Sequence, residues 1–194
     1  MIEVYQLKVT LKGVKPAVWR RLLLSADMLL EDVHKVLQSA MGWQNGHLHQ
    51  FFRRSEYFEP PVPEDIFEDQ EGNDYSDVRL HDLLSKPNDK MTYEYDFGDG
   101  WEHVVLLEKV LLADDGSIVV PSCTGGSGNC PPEDCGGAPG YMEVLKALKN
   151  PGHPMHETYK EWYPEGVDPE HFDLAGINED FQLKGYGCPD WLDM

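Results

Sequence analysis

The sequence contains few basic residues and no long apolar run. Its 194 residues include 16 Lys and Arg against 35 Asp and Glu, which gives a formal net charge of −19. Because binding to a phosphate backbone requires cations that displace counterions, this balance argues against nucleic-acid binding by the chain as a whole. No apolar run approaches the roughly 20 residues that a bilayer crossing needs, so we expect no membrane contact.

We expect no secretory leader, and cysteine is scarce. Met1–Val4 lead into alternating polarity instead of a charged and then apolar segment, so we expect a soluble protein of the cytoplasm. In that compartment the four cysteines are expected to be reduced thiols, structural or metal-binding, rather than an extracellular disulfide framework.

The apolar content is sufficient for one core. Hydrophobic residues make up 41% of the chain and aromatic residues 11%, which predicts a single domain over residues 1–194. The charge is uneven, because residues 1–54 hold eight Lys or Arg against four Asp or Glu and the remainder holds eight against 31. We interpret this as attraction between two parts of one fold. The alternative is a basic nucleic-acid face that comprises Lys15, Arg20, Arg21, Arg53 and Arg54.

Alternating polarity predicts an antiparallel hairpin at the start of the chain. Apolar and polar residues alternate over Tyr5–Lys12, Gly13–Pro16 supplies turn chemistry, and Val18–Leu24 is typical of the return strand. Apolar residues at helical spacing follow from Asp27, the predicted N-cap, to Gly42, which ends the helix.

A third strand in His47–Arg54 completes a ββαβ start. Residues 55–78 hold nine acidic residues, three prolines and no Lys or Arg, which predicts a flexible acidic insertion. Met91–Asp96 and Trp101–Leu112 then form a second hairpin. Together these elements predict an α+β fold with a mixed, mostly antiparallel sheet and helices packed on one face.

The last third of the chain combines an irregular segment with helices. Residues 121–140 contain so many glycines and prolines that we expect no regular structure there. A helix is predicted from Tyr141 to the stop at Pro151 and Gly152, and a short one over His156–Tyr163.

Histidines and aspartates in two segments form a candidate catalytic or metal site. His47 and His49 would share a strand face, and Asp96, Asp99 and His103 surround the second hairpin turn. If the strands are neighbours, these groups could bind a divalent metal or act as general acid and base. The structural alternative is that the aspartates form the turn and the histidines satisfy hydrogen bonds in the core.

Two further groups of residues are candidates for binding. Cys123, Cys130 and Cys135 could hold a zinc ion with Cys188 or a histidine as fourth ligand. The usual pair with two intervening residues is absent, so a disulfide, a thiol pair or buried thiols remain alternatives.

Aromatic residues could also line a ligand pocket. Trp43 and Trp101 would form its apolar wall, and Arg20 or Arg21 would anchor an anion. The alternative is that the tryptophans pack in the core, where aromatic side chains at strand periodicity stabilise a sheet.

Several phrases, in this order, carry a resemblance to one family. They are Val18-Trp19-Arg20-Arg21, Met41-Gly42-Trp43 with His47-Leu48-His49-Gln50-Phe51, Tyr95-Asp96-Phe97-Gly98-Asp99-Gly100-Trp101-Glu102-His103, and Cys130-Pro131-Pro132-Glu133-Asp134-Cys135-Gly136-Gly137. The chain resembles the plasmid pRiA4b ORF-3-like family from about residue 3 to about residue 183. The resemblance implies a roll-like α+β domain without an assigned biochemical role, found in plasmid and chromosomal settings. Resolvase-like labels fit poorly, because an activated serine among arginines and a basic DNA-binding segment are both missing.

Three hypotheses of function follow. The first is a non-enzymatic module that binds a protein or small-molecule ligand, with a link to plasmids or mobile elements implied by the resemblance. The second is a metal-dependent hydrolase or nuclease that uses His47, His49, Asp99 and His103. The third is nucleic-acid binding through the basic N-terminal part. No phosphate-binding glycine loop, nucleophile elbow or metalloprotease motif favours a standard enzyme.

Overall fold

Eight strands form one open sheet in the residues that the computed structural model describes, which are 1–61, 72–114 and 116–189. The strands are β1 (Ile2–Leu11), β2 (Trp19–Ser25), β3 (His49–Arg53), β4 (Glu56–Glu59), β5 (Asn73–Asp74), β6 (Lys90–Tyr95), β7 (Trp101–Ala113) and β8 (Ser122–Ser127). Their spatial order is β5-β4-β3-β6-β7-β1-β2-β8, and all described pairs are antiparallel except β4 with β5. The predicted mixed, mostly antiparallel sheet is confirmed.

Five α-helices accompany the sheet in the described residues. They are α1 (Leu30–Met41), α2 (Leu80–Leu83), α3 (Gly137–Lys149), α4 (His156–Trp162) and α5 (Leu174–Asp180), followed by a 3-10 turn at Lys184–Gly187. None of the described helices is long and apolar enough to span a bilayer.

One face of the sheet is buried because its strands alternate in polarity. Leu7 and Val9 of β1 are fully buried, whereas Lys8 between them points to the opposite, partly exposed face. In register, Leu7 lies opposite Leu22 of β2, and Val9 lies opposite Val105 of β7. Burial of such side chains contributes about 1.5–3 kcal/mol each and stabilises the central strands.

Helices α1 and α3 cover the buried face, as predicted. Leu30 and Leu37 of α1 and Tyr141 of α3 belong to the same core as the strand residues. Helix α1 begins at Leu30 and not at Asp27, which makes no capping bond there. Its end at Gly42 is as predicted, because this glycine adopts the left-handed conformation (φ 93°) that other residues rarely adopt.

The prediction that residues 121–140 lack regular structure is wrong at both ends. Strand β8 pairs with β2, and α3 begins at Gly137. Glycine is needed in β8 because a Cβ at Gly126 would lie 2.5 Å from Cε2 of Phe172. The glycines that suggested a loop therefore allow an aromatic ring to approach a strand closely.

The predicted acidic insertion at 55–78 is more regular than expected at its ends. Strands β4 and β5 lie within it and pair with each other, and Tyr75 is buried in the core. Residues 62–71 of the insertion lie outside the described residues.

Helix α5 covers the outer edge of β8 through one side chain. Asn178 Oδ1 accepts a hydrogen bond from Cys123 N at 2.9 Å, and Asn178 Nδ2 donates one to Cys123 O at 2.9 Å. The amide side chain thus pairs with both backbone groups of Cys123, as a neighbouring strand would.

Candidate functional site

Three loops meet at one end of the sheet. The register places His49 of β3 opposite Tyr95 of β6, and Tyr95 opposite Trp101 of β7. The loop before β3 and the turn between β6 and β7 therefore lie at the same end. The loop before α3 joins them, because Asp99 Oδ2 accepts a hydrogen bond from Gly136 N at 3.1 Å. A side chain at Gly137 would collide with the carbonyl oxygen of Asp99, so only glycine fits there.

His47 lies at the centre of this junction among three carboxylates. Its Nδ1 is 3.8 Å from Asp96 Oδ1, and its Nε2 is 3.5 Å from Glu133 Oε2 and 3.4 Å from Asp134 Oδ1. Neither imidazole nitrogen makes a hydrogen bond of accepted geometry with a described residue. We call His47, Asp96, Glu133 and Asp134 the carboxylate–histidine cluster.

The hairpin turn holds Asp96 in place. This residue is 6% exposed and adopts a positive φ of 57°. Its Oδ1 accepts hydrogen bonds from Gly98 N at 3.0 Å and from Asp99 N at 3.3 Å. These two bonds form an Asx-type turn and leave Oδ2 without a partner among the described residues. The carboxylate is thus oriented by the backbone of its own turn.

Tyr95 and a backbone amide position Glu133. Glu133 Oε1 accepts hydrogen bonds from Gln44 N at 2.7 Å and from the Tyr95 hydroxyl at 3.1 Å. The same hydroxyl accepts a bond from Gly46 N at 2.9 Å. Burial, followed by the charge of Glu133, raises the pKa of Tyr95, so that the hydroxyl remains a donor to Glu133.

The cluster has the composition of a divalent-cation site. One ligand atom from each of His47, Asp96 and Asp134 lies within 4.8 Å of the other two, and this is the one such group of His, Cys, Asp or Glu in residues 1–61, 72–114 and 116–189. Imidazole nitrogen with carboxylate oxygens suits zinc, manganese or iron. Asp134 and Glu133 lie between Cys130 and Cys135, and the sequence pattern predicts only the cysteines of this segment as ligands.

The predicted convergence of His47, His49, Asp99 and His103 does not occur. His49 lies in the core, where its ring stacks on His34 at 3.4 Å and its Nε2 bonds the Tyr75 hydroxyl at 2.6 Å. His103 is fully buried against the backbone of β6. His47 and His49 do not share a face, because β3 begins only at His49. Of the four residues, His47 alone contributes a ligand atom to the group.

Burial keeps these core imidazoles neutral. It lowers the pKa of His34 to about 4 and that of His103 to about 4. Burial also lowers the pKa of His49 well below its ordinary value, and the neighbouring His34 adds to this effect. Neutral rings suit the bonds of His34 to Tyr93 and Asn45, both at 2.8 Å. His34 and His49 therefore fit the structural alternative, whereas Nε2 of His103 is buried without a hydrogen-bond partner in the described residues.

The cysteines do not gather into a zinc site. Cys123, Cys130 and Cys135 are free thiols, and the described residues contain no group of three ligand atoms that includes a cysteine within 4.8 Å. Burial raises the pKa of Cys123 and of Cys130, and it raises that of Cys135 to about 12. The cysteines are buried or half-buried and share no group of ligand atoms within the described residues, so the geometry favours the buried-thiol alternative.

The residues of the predicted ligand pocket lie in different parts of the fold. Trp43 and Trp101 pack against each other in the core with ring centroids 5.3 Å apart, and both indole nitrogens lack a partner in the described residues. Arg20 faces the helices, whereas Arg21 lies on the opposite face and binds Glu108 at 2.7 Å. The tryptophans are core residues and do not line a pocket with the arginines.

The predicted basic face is largely neutralised. Arg21 pairs with Glu108, and Arg53 pairs with Asp89 at 3.2 Å. Arg20 is 3% exposed, which leaves Lys15 and Arg54 as exposed cations of the set. Two separate cations are few for phosphate-backbone binding.

Comparisons with known proteins agree on a family and on a fold. A family model described as plasmid pRiA4b ORF-3-like protein matches residues 3–176. The uncharacterized protein y4hQ of Sinorhizobium fredii is 39% identical over 166 residues, which cover 82% of this chain and 80% of that protein. The crystal structure of MM3350, a protein of unknown function from Methanosarcina mazei Go1, is similar with a TM-score of 0.77 and 33% identity, over 90% of this chain and 97% of that one.

Proposed function

Since this chain belongs to the plasmid pRiA4b ORF-3-like family, we propose that it is a non-enzymatic binding module whose ligand at the carboxylate–histidine cluster is a divalent cation. The observation that carries the proposal is the position of His47, whose two ring nitrogens face three carboxylates at 3.4–3.8 Å without a hydrogen bond to any of them. A cation between these groups would replace poor contacts with ligand bonds.

The origin of the ligands supports the proposal. His47, Asp96 and the pair Glu133–Asp134 come from three separate phrases by which the chain resembles its family. Local hydrogen bonds fix Asp96 and Glu133, so that the site is organised before an ion binds. Preorganised ligands lose little conformational entropy on binding.

The charge of the cluster also supports a cation. Three carboxylates around one imidazole repel each other, in a chain that carries a formal charge of −19. A divalent ion relieves this repulsion, and nitrogen with oxygen ligands favours Zn²⁺, Mn²⁺ or Fe²⁺ over Ca²⁺.

Isothermal titration of the metal-free protein with Zn²⁺ and Mn²⁺ tests the proposal. We expect one ion per chain, and about 10-fold to 100-fold weaker affinity in Asp134→Asn, as removal of groups that organise a metal site typically causes. Asn suits the left-handed backbone of residue 134 (φ 54°), and the Asp134 side chain is 77% exposed, so this variant should fold normally.

Two variants serve as controls. Asp77→Asn removes an equal charge from an exposed position elsewhere, and Cys123→Ala removes a buried thiol. Both should bind the ion as the wild type does. Absence of binding by the wild type, or equal affinity in Asp134→Asn, contradicts the proposal, and loss of binding in Cys123→Ala would assign the ion to the cysteines.

A metal-dependent hydrolase is a second candidate, favoured by the exposure of the cluster. The His47 side chain is 30% exposed and the Asp134 side chain 77%, so an ion there would keep positions for water. A metal-bound water with a lowered pKa can attack a phosphoester. We expect slow hydrolysis of bis(p-nitrophenyl) phosphate with Mn²⁺ or Zn²⁺ that is lost in Asp134→Asn. No hydrolysis above the rate of the free metal ion would exclude this candidate and leave the binding module.

A further inference from the structure

A recess lies apart from the carboxylate–histidine cluster. It has a volume of about 220 Å³ and separates the last turn of α1 from the segment that leads into α5. Its lining includes Arg20, Ser39, Asn129, Phe172, Asp173 and Asp180. We call it the Arg20 cleft. Its volume is smaller than the 300–1,000 Å³ of typical drug-sized sites, which limits a ligand to a small molecule.

Arg20 is a buried cation without a carboxylate partner. It is 3% exposed, and no described Asp or Glu lies within ion-pair distance of it. By contrast, Arg21, Arg53 and Arg79 each pair with a carboxylate. Burial lowers the pKa of Arg20, and the groups that act next on it are the thiols of Cys130 and Cys123. The guanidinium nevertheless remains charged at neutral pH, because its ordinary pKa is above 12.

Carbonyl groups hold this guanidinium in a fixed position. Nε donates to Ala40 O at 2.7 Å, at the C-terminal end of α1 where a cation is favourable. Nη1 donates to Trp19 O at 2.9 Å and to Ser127 O at 3.0 Å. These bonds explain how Arg20 joins α1 to the β2–β8 edge, but none of the acceptors carries a full negative charge.

One guanidinium nitrogen has no partner within the described residues. Nη2 of Arg20 donates no hydrogen bond to any of them, and Arg20 lines the cleft. Nη2 is therefore the donor left for a ligand in the cleft. The ring of Phe172 lies 4.9 Å from the guanidinium carbon and covers one face of it. Because Gly126 has no side chain, the Phe172 ring packs directly against the backbone of β8 and forms a wall of the cleft.

The acidic residues of the cleft select among anions. Asp173 and Asp180 line the same recess and are exposed, whereas Arg20 is buried. Asp173 accepts a hydrogen bond from Gly176 N at 2.9 Å through Oδ1, and its Oδ2 has no partner among the described residues. Two carboxylates disfavour a phosphate dianion but attract an ammonium group.

We infer that the Arg20 cleft binds a small zwitterion of the α-amino-acid class, with its carboxylate on Arg20 and its ammonium toward Asp173 and Asp180. The ligand carboxylate would be the anionic partner that Arg20 lacks within the described residues. The ligand ammonium would be attracted to the carboxylates of Asp173 and Asp180. Phe172 and Ile177 supply apolar contacts to the ligand side chain. The site does not depend on the cation site, because the two share no residue.

A thermal-shift panel of the twenty free L-amino acids at 10 mM, followed by titration calorimetry, tests the inference. We expect at least one amino acid to raise the Tm and to bind with 1:1 stoichiometry. Its N-acetyl derivative and its methyl ester each lack one charge, and each should bind at least tenfold more weakly. Inorganic phosphate should not compete.

Asp180→Asn is the diagnostic variant, because an Arg20 variant would also lose the bonds that hold α1 to β2. The Asp180 side chain is exposed and makes no hydrogen bond or ion pair within the described residues. We expect tenfold or greater loss of amino-acid affinity in Asp180→Asn and none in the matched Asp77→Asn. No Tm increase with any amino acid, equal binding of the N-acetyl form, or tighter binding of phosphate would each overturn the inference.

Discussion

His47 and His49 are two residues apart and occupy opposite chemical environments. The His47 side chain is 30% exposed among three carboxylates, and its nitrogens make no hydrogen bond within the described residues. His49 is 8% exposed, stacked on His34 and bonded to Tyr75. The first imidazole is available for a ligand, whereas the second is part of the core.

The cause of this difference is the start of β3. His49 lies in the strand, and its pairing with Tyr95 directs its side chain toward the helices. His47 precedes the strand and lies in the loop at the end of the sheet. A residue type therefore indicates a function only together with its position relative to a strand. The following four predictions test this difference between a core histidine network and a solvent-facing cluster.

The largest expected effect is acid destabilisation by the core network. His34 and His103 have folded pKa values of about 4, below the unfolded value of 6.5, so the unfolded chain takes up protons first as the pH falls. Each contributes about 3 kcal/mol of stability, because one pKa unit is worth about 1.4 kcal/mol. This stability is fully present above pH 6.5 and is lost progressively toward pH 4. Urea unfolding at pH 7.5 and 5.0 should show a loss of about 2 kcal/mol per histidine, and equal stability at both would contradict neutral core rings.

Replacing each histidine by alanine should separate the two environments. His49→Ala removes the stacking on His34 and leaves the Tyr75 hydroxyl without its partner, so we expect a loss of about 3 kcal/mol in the free energy of unfolding. His47→Ala should change it by about 0.5 kcal/mol or less, as is usual for a partly exposed side chain without hydrogen bonds. Similar losses in both variants, measured by denaturant unfolding, would remove the distinction.

Tyr95→Phe should lower the free energy of unfolding by an intermediate amount. The substitution leaves Gly46 N without an acceptor and removes one of the two donors to Glu133, which should cost about 1–2 kcal/mol. It should also weaken cation binding, because Glu133 then loses part of its support. Tyr57→Phe, at an exposed position, is the control and should leave both quantities unchanged. Unaltered stability in Tyr95→Phe would mean that water replaces the hydroxyl.

The smallest change in the free energy of unfolding is expected for Asp134→Asn. The sign of this change should depend on whether a divalent cation is present. Without a divalent cation the variant should be slightly more stable, by up to about 0.5 kcal/mol, because one charge leaves an acidic cluster. With excess Zn²⁺ or Mn²⁺ the wild type should become the more stable of the two, since a ligand that binds only the folded state raises its stability. Thermal unfolding with and without EDTA measures both signs, and the same order in both conditions would argue against the cation site.

Most of the fold was predictable because polarity alternates along the strands. The two hairpins and the end of α1 at Gly42 have local causes, namely period-two burial and a left-handed glycine. Strand β8 was not predictable, since Gly126 faces Phe172, which is distant in sequence. Glycine content predicts loops from local sequence, and it therefore gives no information about a contact with a distant aromatic ring.

The site was predictable in part. His47 and Asp96 were among the residues of the sequence hypothesis, and they do lie close together at 3.8 Å. Glu133 and Asp134 were not predicted, because they are distant in sequence from His47 and Asp96 and meet them only in the folded chain, where Gly136 N and the Tyr95 hydroxyl join the loop before α3 to the hairpin. His49 and His103 were included in error, since strand periodicity alone does not say which face a helix will cover.

Asn178 has a consequence for how molecules of this protein meet one another. An unpaired strand at the border of a sheet invites a strand from another molecule, and such edge-to-edge contacts lead to aggregates. The amide of Asn178 occupies both hydrogen-bonding groups of Cys123 at that border. A second molecule must first displace this side chain, so the purified protein should resist self-association along β8 even at concentrations suited to crystallisation.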